Sequence, residues 1–397
     1  MSLIYLDNNA TTKVDPKVLE AMLPYFKEEY ANPSSIYEFA KRSNHAVRDA
    51  RGVIKDFFNA KDEKEITFTS CGSESANTAI RGVLNMNKNK RHIITTKVEH
   101  PCVLNLYQTL EKEGYKVDYI GVNSNGELDL AQLEETINPD TALVSVMYAN
   151  NETGVIFPIE KISEIIKSKN PETKFYVDAV QVTGKIPIDV QALGVDLMGI
   201  SGHKFHAPKG IGALYVNSKT LITPLIIGGH QERGKRAGTE NVPYIVGMAK
   251  AAELATDSLK YEATEIKRLR DKLEANILKN VYNARVNAGI VNRVPNTTNI
   301  GFEYIEGELI LLHLSDLGIC ASSGSACTSG SLEPSHVLRA MNVPFTAIHG
   351  SIRFSLSRFT TEKEVDYVCE KMPAIIDKLT SISPFQDELE ALKRLKQ

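Results

Sequence analysis

Residues 175–204 read FYVDAVQVTGKIPIDVQALGVDLMGISGHK, and the kind of fold turns on them. A short apolar run, Phe175–Val177, leads into Asp178. Turn and helix-like sequence follows, and a second run, Leu197–Ile200, leads into Ser201, His203 and Lys204. Both runs are apolar throughout rather than alternating, the pattern of strands buried on both faces. The same rhythm extends outward through Ile66–Thr69, His92–Thr96, Tyr115–Ile120, Ala142–Met147 and Gly212–Val216. Helical patterns lie between these runs, such as Ile159–Lys169 with its stripe of Ile162, Ile165 and Ile166. Strand and helix alternating in this way predict an α/β domain around a mostly parallel sheet.

The chain has 397 residues, a prior of two or three domains at roughly 150 residues each. Its 46 basic and 49 acidic side chains leave a net charge of −3, which gives no basic field for duplex nucleic acid and no acidic excess for disorder. No apolar run approaches the roughly 18 residues that span a bilayer, and MSLIYLDNNATTKVD has no signal-peptide pattern. Five scattered cysteines argue against a disulfide framework and for a reducing compartment, so the expectation is a cytoplasmic enzyme without membrane or nucleic-acid partners.

Beyond residue 216 the rhythm breaks. IGGHQERGKRAGTENV, within residues 225–243, is rich in glycine and charge and reads as a loop with little to bury. A long helical stretch follows, with Ile266, Leu269, Leu273 and Ile277 on one face. It is read as the bridge from a large domain, residues 16–260, to a smaller α+β domain of residues 1–15 and 261–397. Thr298–Phe302 and Ser351–Ser355 read as strands of that smaller domain, and PFQDELEALKRLKQ as an amphipathic tail helix.

In open α/β sheets ligands bind beyond the carboxyl ends of the strands, so Asp178, Gln181, Ser201, His203 and Lys204 are expected to converge. A Lys and an Asp at neighbouring strand ends suit pyridoxal phosphate. The amine forms a Schiff base with the aldehyde, and the carboxylate keeps the pyridine nitrogen protonated. A structural Asp178–Lys204 ion pair is the competing reading. In TFTSCGSESAN the amides of Gly72 and Ser73 open a helix after a strand, an anion site to which Ser201 and His203 add donors. His100 leaves another strand on the same side and suits an imidazole stacked on the ring, passing protons near neutrality. Asn151 and Gln181 are within reach of the ring hydroxyl, and Arg353, in HGSIRFSLSRF, offers a guanidinium fork for a carboxylate. His203 and His206 are spaced like a helical metal pair, but Pro208 and nearby glycines argue against a helix, and no metal site is expected. Cys327 lies among serines, glycines and threonine in SSGSACTSGS, a run unable to pack a core. It reads as a thiol on a flexible loop of about residues 321–334, either a nucleophile or an incidental surface group. Cys320 and Cys369 read as core residues, and Cys71 and Cys102 show no evident role.

YLDNNATT from Tyr5, NPSS at Asn32, EHPCV at His100, NNETG at Asn150, VDAVQ at Asp178, SGHK at Ser201 and SGSACTSGSLEPS around Cys327 together resemble the cysteine desulfurase family, in the branch of the bacterial IscS and NifS proteins. The resemblance covers essentially the whole chain. It implies a fold-type I pyridoxal-phosphate homodimer that converts L-cysteine to L-alanine and leaves a persulfide on Cys327, with iron–sulfur cluster assembly as the usual destination. By the same resemblance Lys204 is the Schiff-base lysine, Asp178 partners the pyridine nitrogen, and His100 stacks on the ring. Asn151 and Gln181 contact the ring substituents, and Gly72, Ser73, Ser201 and His203 bind the phosphate. Thr239, in RAGTEN, reaches the phosphate of the other subunit, and Arg353 holds the substrate carboxylate. The long loop after Cys327 is that of the branch that passes sulfur to a scaffold protein. One departure is the turn Cys71-Gly72-Ser73, where related sequences often carry Gly-Ala-Thr. The amides and a hydroxyl survive the change, so phosphate binding is expected to persist.

Overall fold

The computed structural model describes residues 3–289, 291–323 and 334–395. Its strands are β1 (Ile4–Tyr5), β2 (Ile66–Thr69), β3 (His92–Thr96), β4 (Lys116–Ile120), β5 (Thr141–Met147), β6 (Lys174–Asp178), β7 (Leu197–Ser201), β8 (Gly212–Val216), β9 (Ala284–Val286), β10 (Thr297–Phe302), β11 (Ile319–Cys320), β12 (Ser322–Ser323) and β13 (Ser351–Ser355). Seven of them form one sheet in the order β2-β8-β7-β6-β5-β3-β4. Only β8 runs against its neighbours, pairing antiparallel with both β2 and β7. The other six therefore end on one edge. The apolar runs of the sequence form these strands with boundaries shifted by at most a residue, because β2, β3, β5, β7 and β8 are buried along their whole length.

Helices cover both faces. The helix Gly72–Met86 buries Ala76, Ala79, Ile80, Val83 and Leu84 on one side of the sheet. On the other, Ile159–Lys169 buries Ile162 and Ile166, and Glu38–Phe58 packs with Val242–Tyr261. Val242–Tyr261 passes through a π turn, Glu262–Ile266, into Lys267–Asn280. There Ile266, Leu269, Leu273 and Ile277 are all buried on the expected face.

They face a second core with Ile300, Phe302, Ile352, Phe354, Val368 and Met372. Its sheet, β12-β13-β10-β9, is antiparallel throughout. Ile4 and Leu6 from the opposite end of the chain join this core, with β1 paired to β11. The helix Glu362–Ser381 closes it, started by a capping box between Thr361 and Glu364. The tail helix forms at Gln386–Leu395. No helix of the described residues is long and apolar enough to cross a membrane.

Two expectations need correction. The loop within residues 225–243 is fastened at several points: Glu232 is buried and takes two bonds from Arg51, at 2.6 and 2.8 Å, and Arg236 bonds to Glu74 at 2.9 Å. Cys320 is half-buried rather than a core residue, lying opposite Tyr5 at the β1–β11 pairing.

Candidate active site

At the carboxyl edge of the sheet lies a cavity of about 270 Å³ lined by Gly72, Ser73, His100, Asn151, Asp178, Gln181, Ser201, His203 and Lys204. Each residue arrives from the end of a strand: Gly72 after β2, His100 after β3, Asn151 after β5, Asp178 at the end of β6 and Lys204 after β7. The single direction of those strands brings residues more than a hundred positions apart around one space.

Lys204 Nζ donates to the carbonyls of Asn9 (2.6 Å) and Ala10 (2.8 Å), so the N-terminal segment crosses the cavity beside the amine. Asp178 is buried. Its Oδ1 accepts from the amide of Val180 at 2.9 Å, and burial pushes its carboxyl up to about 6 against the opposing pull of that bond and of Lys204. A carboxylate held in this way gains from a cationic N–H partner. The helix Gly72–Met86 begins at the cavity, with Cys71 as its N-cap accepting from the amide of Glu74 at 3.4 Å. A Cβ placed on Gly72 would lie 3.0 Å from Val180 Cγ2, so glycine keeps this end of the cavity open. A buried carboxylate, amides at a helix start and an amine between them fit the ring nitrogen, phosphate and aldehyde of pyridoxal phosphate.

His100 caps the helix Pro101–Lys112, its Nδ1 accepting from the amide of Cys102 at 3.2 Å. Burial, with Lys204 and His336 nearby, holds the imidazole down at about 4. The expected titration near neutrality is therefore corrected. At pH 7 the ring is neutral, and because Nδ1 accepts, the hydrogen sits on Nε2. His203 is likewise held at about 4, by burial first, and its Nδ1 meets Thr11 Oγ1 at 3.1 Å. His206 turns away to the carbonyl of Lys13, so the two histidines share no site.

Arg353 stands just outside the lining. Its Nη1 donates to the carbonyl of Asn151 (2.9 Å), Nη2 to Asp7 Oδ1 (2.7 Å), and Nε has no partner. Thr239 is exposed and does not line this cavity. Cys327 lies outside the described residues.

Sequence reasoning missed several neighbours. Ala10, Cys71 and Cys102 line the cavity, and Asn9 reaches it through a backbone carbonyl, which no residue type announces. Glu99 and Glu152, beside His100 and Asn151, look like surface charges but are buried. Burial pushes Glu99 up to about 8 and Glu152 up to about 7. Cys102 is also raised by burial, far above an ordinary thiol.

Fold and cavity together define a pyridoxal-phosphate enzyme of the fold-type I kind. Residues 4–368 match the family described as aminotransferase class-V. A cysteine desulfurase of Nostoc sp. is 58% identical over 388 residues, 98% of this chain and 96% of that protein. Cysteine desulfurase NifS of Azotobacter vinelandii is 51% identical over 385 residues, 97% of this chain and 95% of that one. The solved structure of a NifS-like protein superposes with a TM-score of 0.90 at 41% identity, covering 95% of this chain and 100% of its own. The chain belongs to the class-V aminotransferase family and, within it, to the cysteine desulfurases, which depend on pyridoxal phosphate.

Proposed function

We propose that this cavity converts L-cysteine to L-alanine and delivers the sulfur to Cys327 as a persulfide. The observation that supports this most is the meeting of Lys204, Asp178 and the Gly72–Ser73 turn around one space. Pyridoxal phosphate, when bound, supplies an aldehyde that joins amines and a ring that draws electrons from the substrate's α-carbon. Gly72, Ser73, Ser201 and His203 hold its phosphate, Asp178 its ring nitrogen, and Asn151, Gln181 and His100 the ring and its substituents. Lys204 supplies the amine for covalent attachment and, once neutral, moves the proton of the substrate's α-carbon. Arg353 takes the substrate carboxylate. Its Nη atoms each spend one N–H, on Asn151 and on Asp7, which leaves a second N–H on each as a donor. Cys327, as thiolate, bonds to the substrate sulfur while the carbon–sulfur bond breaks; the bonding pair stays with the carbon, which takes up a proton, and the fragment leaves as alanine.

We infer also that the chain acts as a cytoplasmic homodimer, Thr239 of each subunit reaching the other's phosphate, and that an iron–sulfur scaffold or another sulfur acceptor receives the product. The division into residues 16–260 and 1–15 with 261–397 is part of this reading, supported by Ile4 and Leu6 in the second core. The test replaces Cys327 by Ser and supplies L-cysteine. The expected variant keeps bound cofactor and releases no alanine. Alanine at the wild-type rate removes Cys327 from the reaction. Transamination of an oxo acid at the expense of glutamate makes the enzyme an aminotransferase instead.

A further inference from the structure

Lys185 has no place in the chemistry above, yet its side chain is buried, 7% exposed. It lies four residues after Gln181, in VQVTGKIP, and its ammonium points back at that residue. Nζ donates to the backbone carbonyl of Gln181 at 2.9 Å, to its side-chain Oε1 at 3.3 Å and to Oδ1 of Asn9 at 3.4 Å. Three donors thus meet three acceptors, which is how a buried ammonium is made tolerable.

The consequence falls on the amide of Gln181. Burial, with Lys204 and Arg353 adding to it, holds the Lys185 amine down at about 7, so the orientation is set by its protonated form: an ammonium has no acceptor and must face the oxygen of the amide and not its nitrogen. Nε2 is then turned the other way, where one of its two hydrogens goes to the carbonyl of Asn9 at 3.2 Å. The second remains for the cavity that Gln181 lines. The same Asn9 carbonyl takes Lys204 Nζ, so Lys185, Gln181, Asn9 and Lys204 form one chain of bonds. Asn9 is itself fixed by Thr297 and Asn296, which leaves the glutamine amide as the link with freedom to turn over.

We propose that Lys185 is a positioning residue of the cofactor site: its ammonium locks the Gln181 amide so that an N–H, and not a carbonyl, is presented to the ring oxygen of pyridoxal phosphate. A deprotonated ring oxygen accepts hydrogen bonds and is repelled by another acceptor, so an amide turned the wrong way replaces an attraction by a repulsion. This rests on the reading of Gln181 as a ring contact.

The experiment is a double-substitution cycle on the full-length protein, read by the cofactor dissociation constant and the visible absorption band of bound pyridoxal phosphate. Gln181→Ala alone is expected to weaken binding about tenfold and move the band. Lys185→Met alone is expected to do nearly the same, and to add little in the Gln181→Ala background. Lys185→Gln, whose amide can donate to Oε1, is expected to restore most of the affinity and the band, and Lys185→Ala, which also lacks a donor, replaces Lys185→Met should the latter not fold. A Gln181→Ala protein with unchanged affinity and spectrum refutes the ring contact itself. If Gln181→Ala acts but Lys185→Met does not, or acts as strongly without Gln181 as with it, the positioning role is wrong and the first reading stands.

Discussion

Glu152 follows Asn151 away from the cavity, and its Oε2 accepts from Ser335 Oγ at 2.6 Å. Ser335 lies eight residues beyond Cys327, and the next residue, His336, bonds through Nε2 to the carbonyl of Glu99 at 2.9 Å. The carboxyl of Glu152 and the backbone carbonyl of Glu99, each beside a cavity residue, therefore tie down the chain just after the cysteine segment. Burial pushes Glu152 up to about 7 from 4.5, with Ser335 and Arg353 pulling the other way. The folded protein thus holds that proton more tightly than the unfolded chain does. The carboxyl supports the fold fully below about 4.5, and that support is lost as pH rises through about 7. Glu152→Gln keeps a hydrogen-bond acceptor and has no proton to lose. Its melting temperature relative to wild type should rise between pH 5.5 and 8, by on the order of 3 °C. Glu99 and Glu262, also raised, are common to both proteins and cancel in the comparison. A difference that stays flat across that range would mean that Glu152 titrates like an ordinary carboxylate.

At the scale of elements, the start of the helix Gly72–Met86 decides how close a phosphate can come. Besides the 3.0 Å approach to Val180, a Cβ on Gly72 would lie 3.5 Å from Cβ of Ser201, another proposed phosphate ligand. Gly72→Val should therefore cost at least tenfold in cofactor affinity, measured by titration of the apoprotein. The fold should be retained, since the first helical position requires no positive φ. Affinity equal to wild type would place the phosphate elsewhere. The helix start itself was legible, because a strand ending in Thr69 followed by Gly-Ser and an apolar stripe reads as strand, turn and helix, but Gly-Ser turns before helices are common and do not by themselves announce a phosphate. The strands were legible for a similar reason: runs such as β5 are apolar at nearly every position, and burial on both faces leaves no other use for them. The segment Asn8–Thr12 was not, because it has no periodicity and meets Lys204 through carbonyls. Nor was the depression of the His100 imidazole, which needs the positions of Lys204 and His336 and the depth of the cavity.

Considered as a whole molecule, the described residues bury three apolar clusters yet leave large apolar side chains in water, among them those of two segments. Ile36 is 98% exposed and Ile227 85%, with Tyr30, Tyr37 and Phe39 around the first and Leu221, Leu225 and Ile226 around the second. The segments meet, since Ser34 shares a cleft with His230, Gln231, Glu232 and Arg233. The buried Arg51–Glu232 pair sits at that junction, and Arg236 is held by Glu74 of the helix Gly72–Met86 at 2.9 Å, three residues before the exposed Thr239. Large apolar side chains exposed on two segments that meet at one cleft suit an interface, and the second segment runs on into the loop proposed to reach the partner's phosphate. Light scattering is accordingly expected to give twice the chain mass of 43.9 kDa. Paired Ile36→Asp and Ile227→Asp substitutions should yield monomers. Those monomers should also bind pyridoxal phosphate several-fold more weakly than the dimer, because the donor from the other subunit is gone. Monomers that keep full cofactor affinity would show that each cavity is complete within its own chain, and would take Thr239 out of the site. A dimer that survives both substitutions would move the interface off this face and leave the exposed isoleucines to some other partner.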